Sequence, residues 1–100
     1  LGGRFPQVSG LTYTYSRGRP AGSRITSVTI GGRPLDPAAV YTLATNDFIL
    51  NGGDGYATIK AGEVIISAAG GPVVASTVVE AIRQAGTIAP RVEGRITAVP

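Results

Sequence analysis

The run from Tyr41 to Tyr56, Tyr-Thr-Leu-Ala-Thr-Asn-Asp-Phe-Ile-Leu-Asn-Gly-Gly-Asp-Gly-Tyr, constrains this chain more than any other stretch. Its first half is apolar and threonine-rich, and the pattern predicts a buried strand over 38–47. Its second half, Asn51-Gly52-Gly53-Asp54-Gly55, is a tight turn with a carboxylate at its centre and Phe48 just upstream. Three glycines allow positive φ and let a ligand or another backbone come close. A strand running into such a turn would fix Asp54, whose oxygens accept hydrogen bonds, and Phe48 would add a flat apolar face. Together these groups suit a polar molecule that carries a ring, such as a nucleoside.

Elsewhere the pattern predicts an α+β chain, mostly an antiparallel or mixed sheet with one clear helix. Leu11-Thr-Tyr-Thr-Tyr15 alternates, with Leu11, Tyr13 and Tyr15 on one face, as a strand requires. Arg24 to Ile30 reads as a second strand, joined to the first by the Arg-, Gly- and Pro-rich stretch 16–23. Gly31-Gly32-Arg33-Pro34 is turn chemistry. Lys60 to Ser67 fits either a short strand or an irregular segment. Thr77-Val-Val-Glu80 has the spacing of a capping box, with an earlier helix start near Val73 as the alternative. Val78, Ile82 and Ala85 then share a face, and Gly86 is a natural stop. Arg95 to Val99 reads as a final strand.

One hundred residues make one small domain, spanning 1–100, or part of one. The apolar content of 43% against 15% charged residues describes a folded chain. Cysteine is absent, which excludes disulfides and thiolate metal sites. Histidine is absent too, and with it the commonest general base and a common zinc ligand. No Ser-His triad can form. The net charge of +3 rests on eight arginines and one lysine. Arg4, Arg17, Arg19, Arg24 and Arg33 flank turns without interleaved aromatics, so the expectation is surface solvation and no nucleic-acid partner. The apolar stretch 64–79 is broken by Gly70-Gly71-Pro72 and falls short of the roughly 20 residues that span a bilayer. No membrane segment is expected, and the opening Leu-Gly-Gly-Arg shows no signal-peptide pattern. The missing initiator methionine suggests a piece of a longer chain.

Rival readings of the glycine turn fit less well. It lacks the series of oxygen donors and the terminal glutamate of an EF-hand loop. It also lacks the Gly-x-x-x-x-Gly-Lys-Ser/Thr pattern of a phosphate-cradling loop.

Four ordered motifs carry a family resemblance. Phe48-Ile-Leu-Asn-Gly-Gly-Asp-Gly-Tyr56 resembles the nucleotide-binding loop in the C-terminal domain of 5'-nucleotidases. Gly3-Arg-Phe-Pro-Gln-Val-Ser-Gly10, the Leu35-Asp36-Pro37 turn and Ala89-Pro-Arg-Val-Glu-Gly-Arg-Ile96 resemble the same domain in the same order. The resemblance implies that Phe48 stacks on the nucleobase, that Asp54 accepts from the ribose hydroxyls, and that Asn51, Gly52 and Gly53 line the site. For Asn51, turn stabilisation is an equal alternative; for Phe48 and Asp54 the plain alternatives are core packing and turn formation. The second base-stacking ring of the family lies upstream, and Phe5 does not match it. Arg95 matches a motif but is assigned a structural role, such as an ion pair with a nearby acid.

The resemblance further implies a parent enzyme that hydrolyses nucleoside phosphates to nucleoside and phosphate. Two divalent metal ions would be held by a separate N-terminal metallophosphoesterase domain, the partner of this segment. No catalytic residue, metal ligand or cofactor is expected in residues 1–100, and the segment alone is expected to be inactive. The family implies a periplasmic, cell-wall or extracellular location. Two alternatives stay open: a noncatalytic binding or interaction module that reuses the fold, and a relative acting on cyclic nucleotides, UDP-sugars or NAD.

Overall fold

The computed structural model describes residues 2–100. The chain divides into two compact units, one formed by Phe5–Tyr41 with Arg91–Pro100, the other by the residues up to Arg4 with Thr42–Pro90.

The first unit is a four-stranded mixed sheet in the order β3-β2-β1-β4. Strand β1 (Leu11–Ser16) pairs antiparallel with β2 (Ile25–Ile30), as the alternation predicts. Leu11 faces Ile30 and Tyr13 faces Val28. The register then shifts, so that Ile25 instead of Thr26 stands opposite Tyr15. This bulge places an apolar residue opposite Tyr15 in the register. On the opposite face the hydroxyls of Thr12 and Thr29 bond to each other, and Thr14 reaches Thr26 at 2.5 Å and Ser27 at 2.7 Å. Such cross-strand hydroxyl pairs contribute about 0.2–1 kcal/mol each.

The turn at Gly31-Gly32 leads into a two-residue strand, β3 (Arg33–Pro34), paired with the end of β2. Strand β4 (Ile96–Val99) lies parallel to β1, with Tyr13 opposite Ile96. Arg95 anchors its start: Nη1 donates to the Val8 carbonyl at 2.6 Å, and Nε stands 3.7 Å from the Glu93 carboxylate. That exposed ion pair contributes little, about 0–1 kcal/mol. Arg95 is thus a structural residue.

Phe5, Tyr13 and Tyr15 cluster with ring centroids 5.6–6.5 Å apart. Tyr13 is buried at 6% exposure, with its hydroxyl donating to the Pro6 carbonyl. This is the centre of a small core.

The second unit is helical. Helix α1 (Asp47–Leu50) is a single turn, followed by 3-10 turns at Gly53–Gly55 and Ile59–Ala61. Helix α2 (Val74–Ala85) is the main helix. Gly86 ends it as predicted, at φ 77° with its N–H bonded to the carbonyls of Ile82 and Arg83. Val74, Val78 and Ile82 follow one another along a face and stay largely solvent-exposed. Among the described residues no helix is long and apolar enough to cross a membrane.

Two expected features are corrected. Thr77 does not cap α2: it lies inside the helix, with its hydroxyl and N–H both directed to the Val73 carbonyl. Val73 is the N-cap and offers no side-chain bond. The helix starts at Val74, just after Pro72, as the alternative start near Val73 expects. Glu80 instead accepts from Gln84 one turn later. The second correction concerns the strand expected over 38–47. No regular structure covers 41–46, and Val40, Tyr41 and Leu43 are exposed. Strand propensity matters only where a neighbouring ladder accepts the backbone, and this stretch pairs with none among the described residues. Lys60 to Ser67 takes its irregular alternative after the 3-10 turn.

Candidate nucleoside-facing loop

The stretch that leads into the candidate turn, Asp47–Leu50, is a helical turn, whereas the sequence predicts a strand running up to Asp47. Asn46 caps it, its Oδ1 accepting from the Ile49 N–H at 2.9 Å. Asp47 in the first turn favours the helix dipole, and its Oδ1 accepts from the Phe48 N–H at 2.8 Å. The Asn51 N–H returns to the Asp47 carbonyl at 3.0 Å, and the Gly52 N–H to the Ile49 carbonyl at 3.0 Å. Gly52 then takes the left-handed region at φ 91° and turns the chain away from the helix axis.

This geometry gathers Asp47, Phe48, Asn51, Gly52 and Gly53 around one open concavity of about 440 Å³. Phe48 is 57% exposed, so its ring is not a core residue. The ring is nevertheless held in place. A Cβ at Gly53 would stand 2.5 Å from the Phe48 carbonyl oxygen and 2.6 Å from ring atoms Cδ1 and Cε1. Only glycine allows the ring to rest so closely on that backbone.

Asp54 lies one residue beyond the residues that line the concavity. Its backbone has φ 53° and ψ 22°, and among the described residues it is the only non-glycine with positive φ. Aspartate tolerates this region better than most residues. Its carboxylate is exposed and makes no hydrogen bond or ion pair among the described residues. The turn is closed by backbone alone, with the Tyr56 N–H donating to the Gly53 carbonyl at 3.1 Å. Other acids of the chain behave differently: Asp36 accepts from the Ala38 N–H and Asp47 from the Phe48 N–H. Asp54 thus stabilises no turn through its side chain. The amide of Asn51 likewise bonds to nothing among the described residues, while its backbone caps the helix end.

Of the residues expected from the sequence, Phe48, Asn51, Gly52 and Gly53 meet at one surface, and Asp54 follows them directly. Asp47 is an addition. A helical reading of 47–51 brings it within one turn of Asn51, whereas a strand reading sends it to the face opposite Phe48. The Asn46-Asp47 pair was the available signal for that helix start. Tyr56 and Arg4 are further additions: the Tyr56 hydroxyl donates to the Arg4 carbonyl at 2.5 Å.

The donor chemistry does not suit a metal centre. The chain has no His or Cys, and among the described residues no group of three or more acids could hold a metal ion.

Comparison with known proteins places these observations in a family. The model for "5'-nucleotidase, C-terminal domain" matches residues 1–61, which include the whole loop. The trifunctional nucleotide phosphoesterase protein YfkN of Bacillus subtilis is 36% identical over 98% of this chain. Protein 5NUC of Lutzomyia longipalpis is 35% identical over 95%, and the 5'-nucleotidase of Diplobatis ommata 32% over 94%. The chain spans 7%, 18% and 17% of the lengths of these three relatives, respectively.

Proposed function

Because the chain belongs to the 5'-nucleotidase C-terminal domain family, we propose that its loop 47–54 grips the nucleoside half of a nucleotide substrate. The carrying observation is an open concavity shared by the exposed Phe48 ring, Asn51 and the Gly52-Gly53 backbone. Phe48 offers one face to a base, and base–aromatic stacking contributes about 1–3 kcal/mol. Its seat on Gly53 fixes the ring before the ligand arrives, which lowers the ordering cost of binding.

Asp54 supplies acceptors only, and a ribose diol supplies two donors. Its uncommitted carboxylate is available for that pair of charge-assisted hydrogen bonds. Asn51 adds an amide that both donates and accepts.

Residues 1–100 act here as one portion of a phosphoester hydrolase. Their contribution is positioning: a base and sugar held at fixed points deliver the phosphate to a reacting centre in one orientation. Divalent metal ions, where the family uses them, would polarise the phosphate and activate water. The residues of this chain do not fit that role, so the chemical step belongs to other residues.

Calorimetric titration of the intact protein with adenosine tests the reading. Binding that weakens about fivefold or more in Phe48→Ala supports it. Equal affinity in both proteins overturns it.

A further inference from the structure

The loop that presents Asp54 is held from a distant point in the sequence. Two contacts converge on it from Arg4. The Tyr56 hydroxyl donates to the Arg4 carbonyl at 2.5 Å, across 52 positions of chain. The Arg4 guanidinium lies over Gly55: a Cβ there would stand 3.2 Å from Nη2 and 3.4 Å from Cζ and Nη1. Gly55 takes φ +81°, so this close approach coincides with a backbone conformation that side chains disfavour.

Charge does not hold Arg4 there. The only ion pair among the described residues joins Arg95 to Glu93. The guanidinium, a weakly hydrated group, instead lies close against the Gly55 backbone. Asp54 is therefore bracketed by two glycines on which other groups rest: Phe48 on Gly53, and Arg4 on Gly55. Its own side chain takes no part in fixing the turn. The backbone thus sets where the Asp54 side chain leaves the turn, and Arg4 and Tyr56 hold one end of that backbone.

We propose that Arg4 and Tyr56 form a latch that sets the position of Asp54, and that both are positioning residues for recognition of a ribose diol. This proposal rests on the nucleoside reading above. The phenol ring of Tyr56 is half-buried and brings its hydroxyl back to residue 4. Removal of that hydroxyl releases the 53–56 turn without opening a cavity. Removal of the guanidinium uncovers Gly55 but leaves the Arg4 carbonyl as acceptor. The two changes act on the same turn through separate contacts.

Tyr56→Phe and Arg4→Ala in the intact protein test the latch by two readouts. The first is amide hydrogen exchange over residues 52–56 in the ligand-free protein. Loss of one hydrogen bond corresponds to exchange about two- to tenfold faster in Tyr56→Phe. The second compares affinity for adenosine with affinity for 2',3'-dideoxyadenosine. A latch acting on Asp54 predicts a loss of about two- to tenfold on adenosine and little on the dideoxy compound.

Unchanged exchange in both variants overturns the proposal. So does faster exchange with equal losses on the two nucleosides, which describes general loosening and no effect on sugar contacts. Should the unaltered protein bind neither nucleoside, the nucleoside reading fails, and exchange alone judges the latch: faster exchange upholds it as a device of the loop, and unchanged exchange removes it.

Discussion

The Phe48 ring rests directly on the backbone of Gly53, so closely that a single methyl group at position 53 would stand 2.6 Å from two ring carbons. The same methyl would lie 2.5 Å from the Phe48 carbonyl oxygen, which belongs to the helical turn and cannot swing aside. Gly53→Ala is therefore expected to push the ring off its seat and to distort the turn. Overpacking of this kind costs about 1–3 kcal/mol. Nucleoside affinity should fall at least as far as in Phe48→Ala. Calorimetry on both variants checks the order.

Phe48→Ala itself should separate binding from stability. The ring is more than half exposed, so its removal leaves no closed cavity. The melting temperature is expected to change by less than about 2 °C, from a stability change within about 0.5 kcal/mol. Nucleoside affinity is expected to drop by about 1–3 kcal/mol. A large loss of stability would return Phe48 to the core.

Asp54→Asn tests the sugar contact. Asparagine accepts the left-handed conformation of position 54 as readily as aspartate does, so the loop should keep its shape. The amide presents donors where an acceptor is needed. Ribonucleotides should suffer by about tenfold to a hundredfold in kcat/KM, as a lost hydrogen bond to a charged group predicts. Dideoxynucleotides should be nearly unaffected. Equal losses on both substrates would mean that Asp54 shapes the loop and does not read the sugar.

A fourth expectation concerns α2. Gly86 closes this helix at φ 77° with its N–H shared between two carbonyls. Gly86→Ala should destabilise the protein by about 1–2 kcal/mol, because any Cβ is strained there. The change lies outside the concavity, so nucleoside affinity should hold while thermal unfolding shifts downward.

How far the sequence could be read depends on where each signal resides. The β1–β2 hairpin was legible because Leu11, Tyr13 and Tyr15 alternate with threonines, and alternation is a local signal. The bulge that places Ile25 opposite Tyr15 was not, because nothing local marks a register shift. Strand β4 could be read from Ile96 to Val99, but its parallel pairing with β1 depends on a partner far away in sequence. The stretch before Phe48 misled: tyrosine, leucine and threonines suggest a strand, yet 41–46 finds no ladder partner among the described residues, and the Asn46 cap starts a helical turn at Asp47. At α2, the Thr77 and Glu80 spacing suggested a late start, but the helix begins at Val74, close to the alternative start near Val73. The candidate site was legible since its members are contiguous. The hydrogen bond from Tyr56 to Arg4 was hidden, as no local pattern links residues so widely spaced.

The parallel pairing of β1 with β4 has a consequence for synthesis. Tyr13 leaves the ribosome long before Ile96 exists, and Thr42–Pro90 of the helical unit is made between them. At roughly 5–20 residues per second, the outer side of β1 waits several seconds or more for its neighbour. During that interval its backbone donors and acceptors are open to any strand that passes, including one from a second nascent chain. A chain with this topology joins its sheet late, and its vulnerability to mispairing falls in the time before residues 96–99 arrive.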